Sequence, residues 1–186
     1  MNKHNEHIEI EARWIHIDRD EIEHKLESLG AEKLGDFFFR EWIFRHDDWA
    51  ENHRRVRVRT DGTQTWLTYK ANTTWAVDST EEVEFTVSSA ENAVKFMDAI
   101  GMPRFIHIEK KRTEYTLGDA SIDIDTWPTG PLILEIEAPN KGLVQETASQ
   151  LGLVWEDALV YDQKFVLRDH FNIDLDNLDT LTFDDV

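Results

Sequence analysis

The 186-residue chain predicts an α+β domain: about eight antiparallel strands forming a closed barrel or two packed sheets, with helices outside. Three observations carry that expectation. Polar and apolar residues alternate along several short segments, a unit of strand, Gly-terminated helix and further strands occurs twice, and no stretch is long enough to act as a linker.

The first strand is HIEIEARW, residues 7–14. Ile8, Ile10, Ala12 and Trp14 share one face of an extended chain, and Glu9, Glu11 and Arg13 share the other. DRDEIEHKLESLG reads as a helix: Asp18 is the N-cap with Glu21 in the capping-box position, Ile22, Leu26 and Leu29 share a face, and Gly30 ends it. Strand-like runs follow in KLGDFFFREWIFRH, RRVRVRT and TWLTYK, the last two joined through Asp61-Gly62. TEEVEFTV then alternates again. SAENAVKFMDAIG is a second helix that starts near Ser88 or Ser89 and ends at Gly101. RFIHIEKKRTEYTL, ASIDIDTW and LILEIEA are strands, NKGLVQETASQLG is a third helix, and VWEDALVYDQKFVLRDHF closes the main domain at about residue 170. Residues 171–186, rich in Asp, read as a short helix fading into a mobile acidic tail.

Composition excludes several functions. A formal charge of −18 argues against a nucleic-acid or acidic-membrane binder, either of which needs a basic surface. No apolar run reaches the roughly 18 residues of a membrane span, and the N-terminal residues show no apolar signal-peptide core. The absence of cysteine removes disulfides and thiolate metal sites. The expected setting is cytoplasmic, as a monomer or homodimer. Twenty Lys and Arg remain, enough to recognise a small anion if they are gathered locally.

The charged strand faces are the informative feature. Arg55, Arg57 and Arg59 alternate with valines, Thr68 shares a face with Lys70, Glu82 with Glu84, Asp123 with Asp125, and Glu135 with Glu137. A solvated face mixes its signs, whereas each of these strands carries one. Two carboxylates about 5 Å apart repel by about 3 kcal/mol at an effective dielectric of about 20. Rows of them need a cation between, and hard ions such as Mg²⁺ or Mn²⁺ take oxygen ligands. Rows of arginine need an anion, and their forks match phosphate oxygens. The charged faces therefore line an interior built for a metal–polyphosphate complex.

These motifs resemble those of the CYTH family of triphosphate tunnel enzymes over about residues 6–168. The family's ExExK reads here as Glu9-Ile10-Glu11-Ala12-Arg13, with Arg in place of Lys. Its paired arginines match Arg57 and Arg59, its strand-ending lysine matches Lys70, and its EIE-like strand matches Glu82 and Glu84. KKRTEY supplies Lys110 and Arg112, and the late acidic signature matches Asp123, Glu135 and Glu137. A C-terminal lysine of some members has no direct counterpart, and Lys164 is the nearest substitute.

The resemblance implies an eight-stranded closed antiparallel tunnel, a small-molecule triphosphate as substrate, and Mg²⁺ or Mn²⁺ as cofactor. It implies catalytic roles for Glu9, Glu11 and Arg13, and metal ligation by Glu9, Glu11, Asp123, Glu135 and Glu137. Glu9 and Glu11 would hold a water-bearing ion, the other three a substrate-bound ion. Arg13, Arg57, Arg59, Lys70, Glu84, Lys110 and Arg112 would bind substrate. Hydrolysis of inorganic, thiamine or nucleoside triphosphate is the leading activity. The alternatives are an adenylate cyclase making cyclic AMP and a non-catalytic polyphosphate-binding module.

Other residues are set aside. The eight histidines show no HExxH spacing, and His16 and His107 read as ordinary strand residues. DDWAENHRR reads as a solvated loop, and Trp75 and Trp127 as the tryptophans placed to reach a tunnel mouth.

Overall fold

A computed structural model describes residues 10–52, 54–72 and 80–185. The strands are β1 (Ile10–Ile15), β2 (Glu32–Phe44), β3 (Arg55–Thr60), β4 (Thr65–Asn72), β5 (Thr80–Val87), β6 (Arg104–Leu117), β7 (Ala120–Thr126), β8 (Leu132–Ala138) and β9 (Thr180–Leu181). The α-helices are α1 (Arg19–Ser28), α2 (Ala90–Ala99), α3 (Lys141–Gln150) and α4 (Gln163–Phe171). The helix starts follow the sequence: Asp18, Ser89 and Asn140 each accept a backbone N–H of the first turn. Gly30, Gly101 and Gly152 follow the helix ends with φ of +76°, +76° and +72°, the left-handed conformation that releases the chain from a helix.

One sheet runs in the order β1-β8-β7-β6-β2-β3-β4-β5, every neighbouring pair antiparallel, and β9 adds to β6 in parallel. The duplication read in the sequence is written into this order. Exchanging β1 with β5, β2 with β6, β3 with β7 and β4 with β8 reverses the list onto itself, so the β2–β6 pair is a pseudo-two-fold axis.

The expected closure is not formed among the described residues. β1 and β5 are the two ends of the sheet and do not pair. The outer edge of β1 is taken instead by the chain before α4: Arg13 N–H donates to Leu159 O at 2.9 Å, and Leu159 N–H donates to Arg13 O at 2.8 Å. A strand edge satisfied in this way has no groups left at that point for a further strand.

The convex face carries two apolar layers. Ala12, Trp14, Ile122, Ile124, Leu134 and Ile136 meet Ile22 and Leu26 of α1 and Val144 and Ala148 of α3. Phe44 and Val58 meet Met97 of α2. A third cluster sits on the concave side, where Val166 and Leu167 of α4 pack on Ile106, Ile108, Trp127 and Ile133. The C-terminal stretch, expected as a mobile tail, continues the fold: Thr180 and Leu181 pair with His107 and Ile108, and Phe183 lies against Phe38 and Lys111. Apolar residues spaced among the aspartates, Leu175 and Leu181, are buried and anchor it. His16 is not a strand residue; it bends the chain after β1 with φ of +56°. Residues 47–52 form a 3₁₀ turn in place of a loop, with Trp49 edge-on to His46 and Tyr69.

Candidate active site

Alternation puts every second strand residue on the concave face, and the register aligns them. Glu11 lies opposite Glu137, Arg13 opposite Glu135, and Glu135 opposite Asp123. Arg112 lies opposite Asp125, Glu41 opposite Arg59, and Lys70 between Arg55 and Glu82. All of these but the buried Asp125 line a cavity of about 450 Å³. All the sequence-predicted site residues within the described chain line it. Glu9, and with it Trp75, lies outside the described residues.

The acidic wall is built by β1, β8 and β7. One carboxylate oxygen from each of Glu11, Glu135 and Glu137 lies within 4.8 Å of the others, the spacing of an oxygen cage for a hard cation. This groups Glu11 with Glu135 and Glu137, whereas the expected division paired it with Glu9. Asp123 falls outside the group and is held by Arg112. The three donors of this group are all carboxylates.

Arg13 sits among these carboxylates with 5% of its surface exposed. Its Nη2 is 2.6 Å from Glu11 Oε1, its Nη1 donates to Tyr161 O at 2.8 Å, and its Nε is 2.7 Å from Glu135 Oε2. The last is a charge contact, since that N–H is not aligned for a hydrogen bond. Burial and the Glu135 charge push the Glu11 carboxyl up, although Arg13 and then Lys70 across the cavity oppose them. Lys70 on β4 and Glu11 on β1 line the same cavity, although their strands stand near opposite ends of the sheet. Glu135 is held down: burial favours its neutral form, but the Arg13 and Arg112 charges outweigh it.

A buried node under this wall was only half visible in the sequence. Asp125 is fully buried, accepts from Lys110 Nζ at 2.9 Å, from Arg112 Nε at 2.6 Å and from Gln163 Nε2 at 3.1 Å. Burial would neutralise it, and the Arg112 and Lys110 charges hold its carboxyl far below the usual range. Lys110 and Arg112, expected to bind substrate, therefore already serve Asp125. Asp123 beside them is pushed up to about 7 by burial, with Asp125 and Glu135 adding to the rise and Arg112 opposing it.

The basic wall belongs to β3 and β4. Glu41, which sequence reasoning missed, is buried at 4% exposure beneath it, and Arg59 Nε donates to its Oε1 at 2.7 Å. Burial favours a neutral Glu41, but the Arg59, Arg57 and Lys110 charges keep it ionised well below the usual range. Arg57 has less compensation: its Nε is buried without a hydrogen bond, and its ion pair with Glu84 spans 3.7 Å. Burial and the Arg59 charge bring its guanidinium down to about 10. Arg55 reaches Asp162, the N-cap of α4, at 3.7 Å, and Lys70 pairs with Glu82 at 2.6 Å.

The far end is closed by α4 and by a register shift in β2–β6. Ile43 pairs with Ile106 but Phe44 with Arg104, so Phe105 is an extra residue and turns into the cavity. The Arg45 guanidinium stacks 3.6 Å above its ring, and both Arg45 and Lys164 are tied to Asp176. Lys164 also lines the cavity. Trp127, expected at a mouth, is instead 3% exposed in the α4 cluster, with Lys110 Nζ 5.6 Å from its ring.

The CYTH domain model matches residues 7–151. The chain belongs to the CYTH family. Solved structures share the fold. The PH1012 protein of Pyrococcus horikoshii OT3 aligns at 23% identity with a TM-score of 0.71, over 83% of this chain and 96% of that one. A candidate adenylate cyclase of Vibrio parahaemolyticus aligns at 14% identity and TM-score 0.72, over 86% and 97%. A Hippeastrum protein, described as an adenylyl cyclase candidate with a dominant triphosphatase activity, aligns at 14% and 0.60, over 86% and 93%. No curated protein sequence matches the chain. Among the described residues of this CYTH domain, no helix is long and apolar enough to cross a membrane.

Proposed function

We propose that this CYTH domain is a divalent-metal-dependent triphosphatase, hydrolysing inorganic, thiamine or nucleoside triphosphate. One observation carries the reading: the arginines of β3, with Arg57 undercompensated among them, face an oxygen-only carboxylate group across one cavity. Neither a phosphate alone nor a metal alone satisfies both walls. A metal-bound triphosphate does.

Glu11, Glu135 and Glu137 fit a hard ion such as Mg²⁺ or Mn²⁺ by donor type and spacing. Such an ion supplies neutralisation of phosphate charge and a more acidic bound water. The protein's own part is binding and orientation. Arg57, Arg59 and Lys70 donate to phosphoryl oxygens, with Arg55 at the α4 end. Glu41 and Asp125 keep the cationic side chains in place before substrate arrives. Arg13, Lys110 and Arg112 shape the acidic wall, and Glu84 spaces Arg57 from β5. The Hippeastrum protein's described triphosphatase activity supports hydrolysis over cyclisation.

Phosphate release from tripolyphosphate, ATP and thiamine triphosphate, with Mg²⁺ or Mn²⁺, tests this, with chromatography for cyclic AMP alongside. Metal-dependent release that EDTA abolishes is expected. Full turnover in EDTA, or no turnover of any of the three, would overturn the proposal; cyclic AMP as the main ATP product would assign the cyclase.

A further inference from the structure

The carboxylate group already contains a cation, and that cation is Arg13. Its guanidinium contacts two of the three members, Glu11 at 2.6 Å and Glu135 at 2.7 Å. A divalent ion held by those oxygens would sit about 2.0–2.6 Å from them. The guanidinium and the ion then compete for the same carboxylate charge. A lysine at this position would compete less, because an ammonium is a compact point charge while a guanidinium forks across two acceptors.

The two carboxylate partners of Arg13 differ in how tightly they are enclosed. Arg13 is fixed on its other side by Tyr161 O at 2.8 Å, and its backbone is bridged to Leu159 in both directions. Glu135 is enclosed, its side chain 12% exposed. Glu11 is the more open of the two, with a side chain 41% exposed. We propose that Arg13 is a built-in competitor that sets the metal affinity of this site, and that Glu11 is the residue exchanged between the guanidinium and the ion. The inference rests on the reading of Glu11, Glu135 and Glu137 as a metal site.

The test is binding of Mn²⁺ alone, without any phosphate, followed by loss of the free-ion EPR signal and by calorimetry. Wild type, Arg13→Gln and Arg13→Lys are compared. Gln removes the charge and leaves the backbone bridge to Leu159 intact, and Mn²⁺ should bind it at least tenfold more tightly than wild type. The Lys variant should fall between them. The rise in Tm on adding Mn²⁺ should follow the same order. Equal or weaker Mn²⁺ binding by both variants, or no binding by any form, would overturn the proposal. If Arg13→Gln does not fold, Arg13→Lys alone decides by the same comparison. Tighter Mn²⁺ binding by the variants, in a protein that hydrolyses no triphosphate, would leave this inference standing and remove the proposed activity.

Discussion

Glu41 is the most discriminating place to perturb the basic wall, because it touches the cations from beneath. Glu41→Gln keeps the shape and removes one charge from a site where Arg59 Nε lies 2.7 Å away and Arg57 and Lys110 are close enough to act on it. Removing one partner of a buried ion pair costs about 3–5 kcal/mol, because the other charge stays buried and uncompensated. For a domain of this size each kcal/mol moves Tm by about 2–4 °C, so the ligand-free protein should melt about 12 °C lower. The loss depends on pH. The folded-state pKa of Glu41 is depressed, so the wild-type advantage is complete above its ordinary value of 4.5 and erodes as pH falls below it. A polyanion supplies the missing negative charge, so tripolyphosphate with Mg²⁺ should raise the Tm of the variant more than that of wild type. Scanning calorimetry at pH 4 and pH 7.5, with and without tripolyphosphate, reads all three effects. A ligand-free Tm within 2 °C of wild type at pH 7.5 would refute the idea that Glu41 compensates the arginines.

Other expectations follow from the same geometry. Glu137→Gln should lower triphosphate hydrolysis a hundredfold or more, about the loss from one electrostatic group, and weaken Mn²⁺ binding by calorimetry; normal turnover would make Glu137 a bystander. Affinity measured with excess Mg²⁺ should climb from phosphate through diphosphate to triphosphate by about tenfold or more per step, since each charge-assisted hydrogen bond contributes about 1.5–3 kcal/mol; a flat series would contradict the extended basic wall. Asp123 is pushed up to about 7 from 3.8, so ionising it destabilises the metal-free fold progressively between those values. Asp123→Asn should therefore gain Tm relative to wild type as pH rises from 4 to 8, and a pH-independent difference would argue against that burial.

The strands and helices were legible because their local signals are strong: alternation on β1, β3, β5, β7 and β8, and an N-cap with a terminal glycine on α1, α2 and α3. The charged lining was legible because single-sign strands have no good solvated explanation. Glu41 was not, since it sits in the run FFFREWIF, where one carboxylate among aromatics gives no repeating pattern. Asp125 shared the Asp123 face, yet only tertiary contact with Lys110 and Arg112 marks it as their counter-ion. Arg45 and Phe105 enter the site through a register shift, and α4 through a long-range docking. Neither leaves a local trace. The packed C-terminal stretch was hidden by its composition, because its many acidic residues mask the two leucines that are buried.

The pseudo-two-fold order of the sheet has an electrical consequence. The exchange that maps β3 onto β7 maps Arg57 and Arg59 onto a strand carrying Asp123 and Asp125, and β4 with Lys70 maps onto β8 with Glu135 and Glu137. One backbone plan was used twice and filled with opposite signs. Such an arrangement favours a transverse field across the cavity, from the arginine and lysine side chains of β3–β4 towards the carboxylates of β7–β8. A metal–triphosphate complex is itself a dipole, with the ion at one flank and the free phosphoryl oxygens at the other. It can align with that field in only one rotational sense about its long axis. The symmetric strand order supplies two equivalent walls, and the opposite charges on them give the cavity a polarity towards the proposed ligand.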